Sequence, residues 1–114
     1  MKKNNILKES RDFDRIIKNN KPYKYKDYII FIERDTNSNY KFGISVGKKV
    51  GNAVIRNKTK RRIKAIIDKK DYQNNFNCII IVGRGVNEKS FSEMENNLMT
   101  ALKNINILKE KRDE

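Results

Sequence analysis

The sequence predicts an α+β fold, a small two-layer sandwich in α-β-β-β-α-β-α order, and three observations lead there. A chain of 114 residues holds one domain with one modest core, so residues 1–114 are read as a single unit. Two strand-sized aliphatic runs, Ile29–Ile32 and Ile79–Val82, alternate with segments whose apolar residues recur at helical spacing. Apolar residues make up 37%, with five Phe and five Tyr, enough for a small core beneath a very polar surface.

The elements follow in chain order. Ser10 is read as the N-cap of a first helix in which Asp12 and Asp14 suit the positive end and Phe13, Ile16 and Ile17 form an apolar stripe, ending near Asn19-Asn20-Lys21-Pro22. Tyr23 to Arg34 alternates and then becomes continuously apolar and β-branched, an extended segment entering a sheet. A turn over Asp35-Thr36-Asn37-Ser38-Asn39 precedes Tyr40, Phe42, Ile44 and Val46 at period two, which predicts a hairpin of antiparallel neighbours. A basic helix begins after Asn52. Asn77 to Gly83 reads as a strand covered on both faces and closed by Gly83-Arg84-Gly85. Ser90 and Glu93 form a capping box, and Phe91, Met94, Leu98, Ala101, Leu102, Ile105 and Leu108 predict a long closing helix with a frayed tail over 109–114. There are no repeats and no low-complexity linker.

Charge narrows the function. Twenty-seven Lys and Arg face 14 Asp and Glu, a net +13. Self-repulsion of that size destabilises a compact chain, so a polyanionic partner is the natural reason for it, nucleic acid first. A membrane surface is the rival, but no run approaches the ~18 apolar residues of a span. The first residues, M-K-K-N-N-I-L-K, lack the apolar centre of a secretory signal, which predicts a cytoplasmic protein. Cys78 stands alone, so it forms no internal disulfide or Cys-based zinc site and reads as a buried thiol in a reducing compartment.

The stretch from Gly51 to Lys70 carries eight Lys and Arg against one acid, Asp68. On a helix capped by Asn52, Ile55, Thr59, Ile63, Ile66 and Ile67 share the side that reaches the sheet. Asn57, Lys60, Arg61, Lys64 and Asp68 share the opposite side, flanked by Arg56 and Lys58. Lys48, Lys49 and Asn52 sit at the helix N-terminus, where free N–H groups already favour a phosphate. Like charges at Arg56/Lys60, Lys58/Arg62 and Lys60/Lys64 cost about 0.2–0.5 kcal/mol per pair, and nothing local offsets this. An ordinary solvated face would mix both signs. Arginine forks suit phosphate oxygens, lysine supplies a compact charge, and Asn57 can bond a sugar or base edge, so the face is suited to a nucleic-acid backbone.

The run K-K-V-G-N-A-V-x-R-N-x-x-K-R, Lys48 to Arg61, is similar to the signature of the protein component of bacterial ribonuclease P, including its Arg56-Asn57 core followed by Lys60-Arg61. The resemblance extends to L-K-x-S-x-x-F at Leu7 to Phe13, the I-I-F strand, the I-I-I-V strand and the closing helix, and so covers nearly the whole chain. It implies a left-handed β-α-β crossover containing the basic helix, the fold class of one domain of a small-subunit ribosomal protein; the general rule for such connections predicts a right-handed crossover. It also implies a subunit that assists a catalytic RNA in the magnesium-dependent hydrolysis that removes the 5′ leader of precursor tRNA. Lys48, Lys49, Asn52, Arg56, Asn57, Lys60, Arg61 and Lys64 would contact the RNA subunit, Lys64 standing where the family usually has arginine. Phe13, Ile17 and Phe31 would line a leader cleft, Ile17 replacing the usual aromatic. Mg2+ would be bound mainly by the RNA.

The residues read alone agree on who performs the chemistry. The chain has no histidine and no Cys/His or carboxylate grouping with ligand spacing, while Asp12, Asp14, Glu93 and Glu95 are helix-surface acids, so no catalytic or metal-ligating residue is expected. The alternative is a ribosomal or other structured-RNA-binding protein without a role in cleavage, although such proteins more often spread their charge over tails. A DNA-binding regulator would need a second helix just before the basic one, where this chain has a strand, so DNA is not an expected partner.

Overall fold

The most apolar strand takes the centre of the sheet. The computed structural model describes residues 1–109. Strands β1 (Tyr23–Tyr25), β2 (Tyr28–Arg34), β3 (Lys41–Val46) and β4 (Phe76–Val82) form a sheet in spatial order β1-β2-β4-β3, with helices α1 (Ser10–Asn19), α2 (Ala53–Ile67) and α3 (Phe91–Asn104). The predicted extended segment is thus two strands, turned at Lys26-Asp27, where Lys26 takes a φ of 51°. β4 pairs antiparallel with β2 and parallel with β3. Its apolar side chains point to both faces, and only a central strand can bury both.

This placement corrects the expected hairpin: β2 and β3 are separated by β4. Tyr40–Val46 keeps its period of two, but periodicity marks a strand and not its neighbour. The Asp35–Tyr40 loop crosses the start of β4, where Thr36 N–H donates to the Asn75 carbonyl (3.4 Å) and Asn75 N–H to that of Ser38 (2.8 Å). Crossing one strand means spanning about 9.5 Å, within easy reach of this loop. The chain then rises along β3, crosses through α2 and returns in parallel along β4, the β-α-β unit of the fold.

The two faces are covered unequally. Phe42, Val46, Tyr28, Ile30, Cys78, Ile80 and Val82 point to one face and pack with Ile63, Ile66 and Ile67 of α2 and Met94, Leu98, Ala101 and Leu102 of α3. Cys78 is a fully buried free thiol, and burial pushes its pKa up. On the other face lies a smaller cluster of Leu7, Ile16, Phe31 and Ile79, roofed by α1.

Helix ends show where local signals hold. Asn52 caps α2, its Oδ1 accepting from Ile55 N–H at 3.0 Å, and Ser90 and Glu93 form both halves of the capping box of α3. Ser10, in contrast, is the first helical residue, with Glu9 in the cap position and no side-chain cap. α3 is shorter than its apolar pattern: after Asn104 the chain turns at Asn106 (φ 60°), Ile107 is fully buried, and Leu108 bridges antiparallel to Tyr72. Leu108 therefore serves a strand-like closure that happens to fall in helical register. Lys109, expected to fray, donates its N–H to the Asp71 carbonyl at 2.9 Å; the rest of the expected tail, 110–114, lies outside the described residues.

Candidate nucleic-acid interface

α2 owes its direction to three buried isoleucines and one satisfied hydroxyl. Ile63, Ile66 and Ile67 are fully buried or nearly so, and Thr59 donates to the Ile55 carbonyl at 2.9 Å. With that side against the sheet, Asn57, Lys58 and Arg61 are exposed, and Arg56, Lys60, Arg62 and Lys64 are half-buried along the flanks. The Arg56 Nε is buried with no hydrogen-bond partner among the described residues.

Ile55 departs from its expected place on the buried side and is 39% exposed. It belongs to the first turn, which overhangs the sheet, and folds back on Gly51: a Cβ there would come within 2.8 Å of Ile55 Cγ2. A side chain at position 51 would lift Ile55 and the start of the helix.

Lys48 and Lys49 lie exposed in a turn closed by Val50 N–H donating to the Gly47 carbonyl at 3.1 Å. Asn87, beyond β4, donates from Nδ2 to the Val50 carbonyl and fixes this turn against the next loop. The two lysines are thereby held at the positive end of α2, where their charges add to the helix dipole.

Among the described residues the ion pairs are Met1 amino group–Asp68, Arg15–Asp12, Arg15–Glu33, Lys69–Glu95 and Lys89–Asp27. None involves Lys48, Lys49, Arg56, Lys58, Lys60, Arg61, Arg62 or Lys64. Asp68, the one acid of the segment, is turned to the Met1 amino group at 2.7 Å. The field of the helix is left uncancelled.

The three residues expected to line a cleft gather on the α1 face. Phe13 lies across the bare backbone of Gly43, where a Cβ would come within 2.5 Å of its ring. Phe13 and Ile17 are half-buried, whereas Phe31 is only 7% exposed and belongs to the core of that face. Sequence reasoning missed Ile29 and Ile81, which are also half-buried here. They are direct cross-strand partners, and Ile81 pairs on its other side with Ser45, which makes an open row beyond the roof of α1. The signal was the strand period, since Ile29 is two residues from Phe31.

No three His, Cys, Asp or Glu side chains among the described residues come together as metal ligands, and no helix among them is long and apolar enough to cross a membrane.

Comparison with known proteins accords with this geometry. The family model described as Ribonuclease P matches residues 1–106. The chain is 35% identical over 112 residues to the ribonuclease P protein component of Streptococcus pneumoniae, covering 96% of this chain and 91% of that one. The solved RNase P protein of Staphylococcus aureus has a TM-score of 0.82 at 27% identity, covering 92% of this chain and 98% of that one. That of Thermotoga maritima has a TM-score of 0.77 at 26% identity, with 86% and 94% covered. On sequence along nearly its whole length and on fold, the chain belongs to the ribonuclease P protein family.

Proposed function

We propose that this chain is the protein subunit of ribonuclease P, acting in the cytoplasm on precursor tRNA with an RNA subunit that performs the cleavage. One observation carries the reading: a helix with cations on its exposed face and both flanks, and no acid of the described chain to neutralise them. Lys48, Lys49, Asn52, Arg56, Asn57, Lys60, Arg61 and Lys64 contact phosphates of the RNA subunit, bringing positive charge between two polyanions that would otherwise repel. The half-buried row of Phe13, Ile17, Ile29 and Ile81 receives the 5′ leader by apolar contact, and buried Phe31 supports it from beneath.

Hydrolysis of the phosphodiester requires magnesium in this reading. The described side chains do not fit such an ion, since no carboxylates converge at the interface. The ion is assigned to RNA oxygens, and the protein's contribution is electrostatic and positional.

Reconstitution with a ribonuclease P RNA at low magnesium tests the assignment: adding the protein should raise cleavage of leader-bearing precursor at the mature 5′ end. No stimulation, together with ribosomal RNA as the species that copurifies from cells, would favour the ribosomal alternative. Arg61→Ala should reduce the log–log salt slope of RNA binding by about one phosphate contact; an unchanged slope removes Arg61 from the interface.

A further inference from the structure

Among the described residues two large hydrophobic side chains are exposed, Val54 at 75% and Ile55 at 39%, and they are neighbours. Ile55 has an internal reason for its position, since it covers Gly51. Val54 has none. It stands in the first turn of α2, one turn before Asn57 and Lys58 and two before Arg61, on the exposed side of the helix. A β-branched residue here lowers helix propensity relative to alanine and leaves apolar surface in water.

The surroundings identify what covers it. Lys58 and Arg61 lie on the same side of the helix one and two turns on, Lys48 and Lys49 lie in the turn just before it, and none is paired to an acid of the described residues. A second copy of this chain carries the same +13 and would be repelled. A polyanion is attracted, and the apolar surface an RNA offers is the face of its bases. Those faces are hidden in a paired, stacked helix and available only where a base is unstacked.

We propose that Val54 seats an unstacked nucleobase of the RNA at the N-terminal turn of α2, so that the interface reads local single-stranded shape as well as backbone charge. The inference rests on the RNA-binding reading above and deepens it. Lys58 and Arg61, one and two turns on along the same side of the helix, hold the neighbouring phosphates while the valine methyls cover the base.

The test measures binding of full-length Val54→Ala, Val54→Ile and Val54→Lys to the ribonuclease P RNA over a salt series, beside a fully paired RNA duplex. Val54→Ala, which favours the helix, should weaken binding to the ribonuclease P RNA by about fivefold, the share of two methyl groups partly returned to water. Its salt slope should equal that of the wild type, and Val54→Ile should bind like the wild type. On the duplex Val54→Ala should change nothing. Val54→Lys should weaken binding to the ribonuclease P RNA at high salt, where an added cation contributes least. Unchanged affinity in Val54→Ala, tighter or equal binding in Val54→Lys, or equal loss on both RNAs would overturn the base contact. A wild-type protein that does not bind the ribonuclease P RNA even at low salt would instead overturn the RNA-binding reading beneath it.

Discussion

Arg15 shows how one side chain positions a face. Its Nε and Nη2 donate to the two carboxylate oxygens of Glu33 at 3.1 and 3.0 Å, and Nη1 donates to Asp12 at 2.7 Å. Asn77 Nδ2 adds a bond to Glu33 at 2.8 Å. This network joins α1 to β2 and β4, and so sets where Phe13 and Ile17 lie over the sheet. The Arg15 guanidinium, with help from Asn77, holds the Glu33 carboxyl below the usual carboxylate range, and the guanidinium is raised in return, mainly by Glu33 and then Asp12. A folded-state pKa below the unfolded one gives stability that is present above the ordinary carboxylate value of about 4.3 and lost as pH falls through the depressed value. Glu33→Gln should therefore be less stable than the wild type at pH 6 in denaturant unfolding, and the gap should narrow as pH falls below about 4.3. A gap that does not change with pH would show that the ion pair contributes nothing at this site.

Among the elements, the two capped helices divide stability from function. Asn52 caps α2 inside the proposed interface, whereas the Ser90 box caps α3, which follows the loop whose Asn87 holds the Val50 carbonyl but carries none of the proposed RNA contacts itself. Ser90→Ala removes the acceptor for Glu93 N–H (3.1 Å) and should lower the unfolding free energy by about 1 kcal/mol. RNA affinity at fixed salt should stay the same, because none of the proposed RNA contacts lies on α3. A matching loss in affinity would mean that α3 itself touches RNA. The caps of α2 and α3 were legible because each is a contract between residues three apart. The end of α3 was not legible, since the burial of Ile107 and the bridge of Leu108 to Tyr72 depend on a segment more than thirty residues earlier.

At the scale of the whole molecule, charge and packing make opposite demands. A net +13 on this chain is self-repulsive, so added salt should raise the thermal midpoint of the free protein. The same salt should dissociate the RNA complex. If Lys48, Lys49, Arg56, Lys60, Arg61 and Lys64 each neutralise one phosphate, log K should fall with log salt at a slope of about −4 to −5, from about 0.7–0.9 per contact. Opposite signs for the two responses are the expected outcome, read by thermal unfolding of the free protein and by titration with RNA. A complex that tolerates salt would mean that apolar contact, not charge, dominates the interface.

Local patterns within a few residues of one another specified the helices, the strands, the cap at Asn52 and the cationic side of α2, because a period or a cap needs no distant partner. Three-dimensional packing alone placed β4 between β2 and β3, moved Ile55 off the buried side, put Phe31 into the core and turned Asp68 toward the amino group of Met1. Each of these depends on which surfaces compete for burial or charge across the folded chain, and that competition has no signature in any single stretch of sequence.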